Sequence, residues 1–244
     1  MLALACGVLL GCSVDATQTL GTSDFETVEQ ELNGNGNSFG NQPFLIDSPN
    51  FADGAALPYQ YTCEGNLFGS GVSPELNWTK GPKGTKSYAI VFIDTTIAEL
   101  NQPNFAYHWA VWNIPHDRHT LPEGIIGVDP AHPTLIAPLP ASLKGATQSQ
   151  ARGVSRFFGP CPSWTVTHAI NCGQPPVART TDHYAFVIYA LPEHDFDVPA
   201  HDPSINPNYV DRLNTYFSSI ALGQVQVTAT SDAVPTTTPP VPCP

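Results

Sequence analysis

In Ser87-Tyr88-Ala89-Ile90-Val91-Phe92-Ile93-Asp94 both alternating faces are apolar. A run this short with no wet face predicts a central β-strand buried on both sides. Tyr107 to Ile114 (Tyr-His-Trp-Ala-Val-Trp-Asn-Ile) and Tyr184 to Leu191 (Tyr-Ala-Phe-Val-Ile-Tyr-Ala-Leu) read the same way. Gln224 to Thr230 alternates Gln and Val and predicts a strand with one wet face, while Phe44 to Ile46 predicts a short opening strand. Turns rich in Gly and Pro, such as Lys80-Gly-Pro-Lys-Gly84 and Asn113-Ile-Pro-His-Asp117, separate the strands. One helix is expected, with Tyr209, Val210, Leu213, Tyr216, Phe217 and Ile220 at helical spacing and Gly223 as its stop. Strands outnumber helices and no regular βαβ alternation appears, so the fold class is mainly β.

Composition agrees. Only 12% of the 244 residues are charged, against about 25% in a typical domain. The 25 prolines and 19 glycines suit sheets joined by ordered loops. A net charge of −12 argues against nucleic acid, because neutralising phosphates takes clustered Lys and Arg. There is no internal repeat, no Gly-rich phosphate loop and no Gly-x-Ser-x-Gly elbow.

The first 12 residues read as a lipoprotein signal segment. Leu9-Leu10-Gly11-Cys12 has the order of a cleavage box that presents Cys12 for lipidation, with Ala3-Leu-Ala-Cys6 a weaker second candidate. The apolar stretch is shorter than the about 20 residues of a membrane span and lacks a positive n-region. Residues 13–42 carry Asp15, Asp24, Glu26, Glu29 and Glu31 without Lys or Arg, and predict a flexible acidic tether. The domain is placed at 43–230 and a Pro-rich tail at 231–244. The chain is therefore expected to be exported and lipid-anchored to the cell envelope. Cys63, Cys161, Cys172 and Cys243 would then form two disulfides, with three pairings open. Cys63–Cys161 with Cys172–Cys243 is preferred, the second bridge pinning the tail to a loop, and Cys161–Cys172 is a close competitor.

Two polar residues interrupt the apolar strands. Asp94 ends the first, and His108 lies inside the second, where alternation points it the same way as Ala110, Trp112 and Ile114, into a core or a pocket floor. A half-buried His beside a carboxylate is held in one tautomer or kept cationic, and either state suits an anionic ligand. In Phe157-Phe-Gly-Pro-Cys-Pro162, two prolines stiffen the loop, Gly159 allows close approach, and the amides of Gly159 and Cys161 offer preset anion donors.

Tyr61-Thr-Cys-Glu-Gly65, Val72-Ser-Pro-Glu-Leu-Asn-Trp78, Pro82-Lys-Gly-Thr-Lys-Ser87, His108-Trp109, Asn113-Ile-Pro115, Leu121-Pro-Glu-Gly124 and Gly159-Pro-Cys-Pro162 occur in order. This set resembles the phosphatidylethanolamine-binding protein (PEBP) family, in its bacterial Raf-kinase-inhibitor-like branch, over residues 44–230. The resemblance implies a large antiparallel Greek-key sheet, a smaller flanking sheet and few peripheral helices. It also implies a small pocket for phosphate-type anions or phospholipid head groups, without catalysis, metal or cofactor.

Carried over residue by residue, Asp94 matches the first Asp of the family's Asp-Pro-Asp motif, but Thr95 and Thr96 follow it. His108 matches the pocket His, Gly159, Pro160, Cys161 and Pro162 the proline loop, and Tyr184 the pocket Tyr. The family's His two residues before that Tyr is Asp182 here, with His183 beside it, and an Asp there weakens an anion site by like-charge repulsion. The segment 163–181 is expanded. It is the natural contact for the alternative function, a protein-interaction or protease/kinase-inhibitor-like module. A metal-dependent hydrolase built on His108, His116, His119 and His132 with Asp94, Asp117 and Asp129 is the least favoured reading, because the spacing matches no ligand pattern.

Overall fold

The computed structural model describes residues 42–66, 71–100, 106–125, 139–150, 157–196, 209–236 and 243. The signal segment with Cys12 and the tether of 13–42, save its last residue, lie outside the described residues. Among the described residues the strands are β1 (Ile46–Asp47), β2 (Leu76–Trp78), β3 (Ser87–Asp94), β4 (Tyr107–Pro115), β5 (Thr120–Leu121), β6 (Thr147–Gln150), β7 (Asp182–Leu191) and β8 (Gly223–Ser231). They form two sheets, one of three strands in the order β1-β2-β5 and one of five in the order β6-β4-β3-β7-β8. All the strand pairs are antiparallel. Within the large sheet β3, β4 and β6 step outward and β7 returns to the free side of β3, which is a Greek key.

Every residue of β3 is buried, as its doubly apolar sequence requires. Its even residues Tyr88, Ile90 and Phe92 join Trp109, Tyr184 and Phe186 in a core closed by Leu76 and Trp78 of the small sheet. Its odd residues Ala89, Val91 and Ile93 join Val187 and Tyr189 in a second core. That second core is covered by helix α3 (Tyr209–Ile220) through Tyr209, Val210, Leu213 and Phe217. Tyr216, expected on the buried stripe, stands at its edge and is 43% exposed. Gly223 opens β8 instead of stopping the helix, and a Cβ there would lie 2.9 Å from Pro82 Cγ. The opening strand begins at Ile46, and Phe44 instead stacks on Tyr88.

Two helices have no counterpart in the sequence reading. α1 (Thr95–Glu99) is a single turn capped by Asp94. α2 (Trp164–Asn171) lies inside the expanded 163–181 segment. Its Thr, Val and Ile residues are poor helix formers, and contacts with the rest of the chain hold it through the buried Ala169, Thr167 and the Cys172 that caps it. The base of that segment is closed by Ser163, whose hydroxyl accepts from the Thr180 amide at 2.7 Å and donates to the Thr180 carbonyl at 3.0 Å. The structure pairs Cys63 with Cys161 and Cys172 with Cys243. Past β8 the chain stays packed: Ala233 and Pro235 are buried, and Thr167 donates to the Pro235 carbonyl at 2.6 Å.

Phe92 is fully buried, its ring stacked 4.2 Å from Phe186, 5.4 Å from Phe157 and 5.6 Å from Tyr184. Phe92→Ala is expected to lower the unfolding free energy by about 3–5 kcal/mol in urea titration.

Candidate functional site

Between Phe92 and Ile93 the β3–β4 register jumps from Trp109 to Tyr107, leaving His108 as an extra residue in β4. A bulge of this kind turns two successive side chains toward one face. His108 consequently shares the Phe92 face with Trp109, and its ring meets Phe92 at 5.3 Å and Tyr184 at 5.6 Å. This corrects the alternation, which grouped His108 with Ala110 and Trp112; those two face α3. A second irregularity, between the pairs Tyr88–Ile114 and Ile90–Val111, returns Ile114 to the first face. Asn113 adopts φ 57° there, fixed by paired hydrogen bonds with the Phe196 backbone.

His108 is 7% exposed, and its Nδ1–H donates to the Phe158 carbonyl at 3.0 Å. A carbonyl only accepts, so the neutral ring is fixed as the Nδ1–H tautomer with Nε2 as its acceptor nitrogen. The Phe158 ring sits edge-on at 5.2 Å. Phe158 was legible as part of the proline loop, but its carbonyl as the group that orients His108 was not.

The loop is tied to the turn at 59–63 in three ways. Cys161 is bridged to Cys63, the Cys63 amide donates to the Pro160 carbonyl at 3.0 Å, and Gly159 lies against the Tyr61 carbonyl. A Cβ on Gly159 would stand 2.6 Å from that oxygen, so glycine is required for close approach. The amides of Gly159 and Cys161 donate to no other backbone group among the described residues. Pro162 accepts from Thr180, at the base of the 163–181 segment.

On the other side of His108, Asp94 is paired in register with Tyr184. Asp182 lies two residues before Tyr184 on the same face, and both carboxyls are buried, at 3% and 7% exposure. The Tyr184 hydroxyl hydrogen-bonds to Asp94, and Asp94 Oδ1 also accepts the Ile97 amide at 2.9 Å. Thr95 and Thr96 exchange hydrogen bonds with the His183 backbone and lengthen the β3–β7 ladder past Asp94. The His183 side chain is exposed on the opposite face, so of the two added candidates only Asp182 joins the cluster.

Burial pushes the Asp94 carboxyl up to about 6, and the Asp182 charge adds to the rise. The Ile97 amide and Tyr184 hydroxyl oppose it. Burial raises Asp182 as well, and raises Tyr184 far above the ordinary phenol range with help from both carboxylates. Of the histidines that cluster in sequence, His132 lies outside the described residues, as does Asp129, and His108 stands apart from His116. β4 runs about 3.3 Å per residue, which puts His108 and His116 roughly 25 Å apart at its two ends. No three metal-ligating side chains gather among the described residues.

Asp94 titrates higher folded than unfolded, where about 3.9 is usual, so protonation favours the native state. Its stabilising contribution is complete below about pH 4 and is lost as the pH rises through about 6. Asp94→Asn keeps a capping oxygen, since Asn caps helices as well as Asp does. The variant should therefore be about 1–3 kcal/mol more stable than wild type at pH 7.5 and nearly equal to it at pH 4, by denaturant unfolding.

The sequence and the fold both have relatives. LppC of Mycobacterium tuberculosis, named as a candidate lipoprotein, is 29% identical over 151 residues, covering 62% of this chain and 57% of LppC. The UPF0098 protein Rv1910c of the same organism is 32% identical over 149 residues, covering 60% and 53%. This chain thus spans little more than half the length of those curated relatives. The crystal structure of Escherichia coli YbcL, described as a new member of the mammalian PEBP family, superposes with a TM-score of 0.52 at 22% identity, covering 78% of this chain and 98% of YbcL. The model of the family named phosphatidylethanolamine-binding protein matches residues 47–231, and the chain belongs to that family.

Proposed function

We propose that this chain is a non-enzymatic, exported and lipid-anchored binding module whose site holds a phosphate-type anion or a phospholipid head group. The observation that carries the reading is the meeting of Asp94, His108 and Tyr184 with the 157–162 loop at one end of the large sheet. The two loop amides supply donors suited to oxygen anions, and the imidazole adds one at Nε2 when the ring is protonated. The disulfide to Cys63 holds the loop before any ligand arrives, which limits the ordering entropy of binding. Two disulfides fit an oxidising compartment, and the lipoprotein name of LppC supports anchoring through Cys12. No helix among the described residues is long and apolar enough to cross a membrane.

A second reading, protein contact through the 163–181 segment, is favoured by Ile170 and Val177, which are 67% and 47% exposed on a segment closed at its base.

NMR titration of the disulfide-bonded chain with inorganic phosphate and with phosphoethanolamine tests the first reading. Saturable shifts are expected at Asp94, His108, Cys161 and Tyr184, abolished by His108→Ala. Tighter binding of phosphoethanolamine would mark a head group, and equal binding a phosphate site. If a folded sample stays silent to both ligands at these residues, the anion site is refuted.

A further inference from the structure

The cluster carries more negative charge than an anion site needs. Asp94 and Asp182 sit on neighbouring strands, on one face and diagonal across the β3–β7 pair, where side chains come within reach of each other. Both are more than nine-tenths buried. His108 on β4 and the Tyr184 hydroxyl on β7 face them, the Ile97 amide of α1 is bonded to Asp94, and the 157–162 loop brings no charged side chain. His183, exposed on the opposite face, acts on Asp182 in the opposing sense when charged. Arg179, the described cation nearest Asp182 in sequence, is paired with Glu64 and Asp232 at the surface.

Resting on the anion reading above, we propose that the site takes up its anion together with one proton, which the Asp94–Asp182 pair holds. Two ionised carboxylates would repel an anion held beside them at the loop amides and His108. A proton on the pair removes one of those charges and turns a carboxyl into an O–H donor. By reciprocity the anion raises the proton affinity of the pair by the same factor as the proton raises that of the anion. Burial already lifts both carboxyls, so the proton is available near neutral pH. A site with histidine in place of Asp182 would lack this coupling to a carboxyl pair.

Sulfate is the probe, because it keeps one charge state from pH 5.5 to 7.5. Calorimetry on the disulfide-bonded full chain, in buffers of different ionisation enthalpy, reads affinity and proton uptake together. Sulfate affinity should rise by up to tenfold for each unit of falling pH, with close to one proton bound per sulfate at pH 7. Asp182→Asn should bind sulfate about tenfold or more tightly at pH 7.5 and lose at least half of the pH dependence. Carboxyl carbon NMR shifts of Asp94 and Asp182 in the wild type locate the proton without any substitution. Sulfate binding without pH dependence, or uptake unchanged in Asp182→Asn with the proton on His108, would overturn the coupling and leave the anion reading standing. Absence of sulfate and phosphoethanolamine binding from pH 5.5 to 7.5, in both proteins, would overturn the two together.

Discussion

The complete burial of β3 governs the rest of the structure. A strand apolar on both faces has to be covered twice, so the large sheet lies between the small sheet and α3. Phe92 is the centre of this arrangement, with Phe157, Tyr184 and Phe186 stacked about it. Phe92 meets the His108 ring, Phe157 opens the 157–162 loop and Tyr184 belongs to the polar cluster. The aromatic core is thus also the wall against which His108 and Tyr184 are held, and core stability and site geometry cannot be separated. The outer edge of β8 is protected in the same economical way, since residues 54–57 hydrogen-bond along it.

Irregularity in the sheet places the chemistry. Without the bulge at His108, period-2 alternation would turn the imidazole toward α3, among Ala110 and Trp112. The bulge brings it beside Tyr184, and the disulfide-held loop supplies the carbonyl that fixes its tautomer. Asp94 needs no such device, because it ends β3 on the same face as Phe92 and caps α1 as it leaves the sheet. The cost of assembling these groups is electrostatic. Two carboxyls and a phenol share a buried corner, and all three are shifted toward their protonated forms. Membership of the PEBP family accounts for the architecture, while Asp182 gives this corner its particular balance of charge.

Much of this was legible in the residues. Three doubly apolar runs gave the central strands almost to the residue, because a strand buried on both sides leaves no ambiguity of face. The α3 stripe was equally clear, apart from Tyr216 at its edge. The short α2 was not, because its β-branched residues favour no helix and long-range ties hold it in place: the Ser163–Thr180 closure, the Thr167–Pro235 hydrogen bond and the Cys172–Cys243 bridge. The ordered motifs brought Asp94, His108, the 159–162 loop and Tyr184 into view, and Asp182 was noticed as the departure among them.

By itself the sequence determined the mainly β class, the three central strands with β1 and β8, and the order of the motifs, because hydrophobic period and residue type are local properties. The short β2, β5 and β6 left no such period, and the cluster residues came into view through the resemblance. The tertiary structure alone decided which way His108 points, which carbonyl orients it, that Asp182 joins the cluster while His183 does not, and that His108 and His116 stand at opposite ends of β4. It also selected one disulfide pairing among three. These are matters of register and long-range approach. A one-residue bulge reverses the face of a side chain without leaving any mark in composition or alternation.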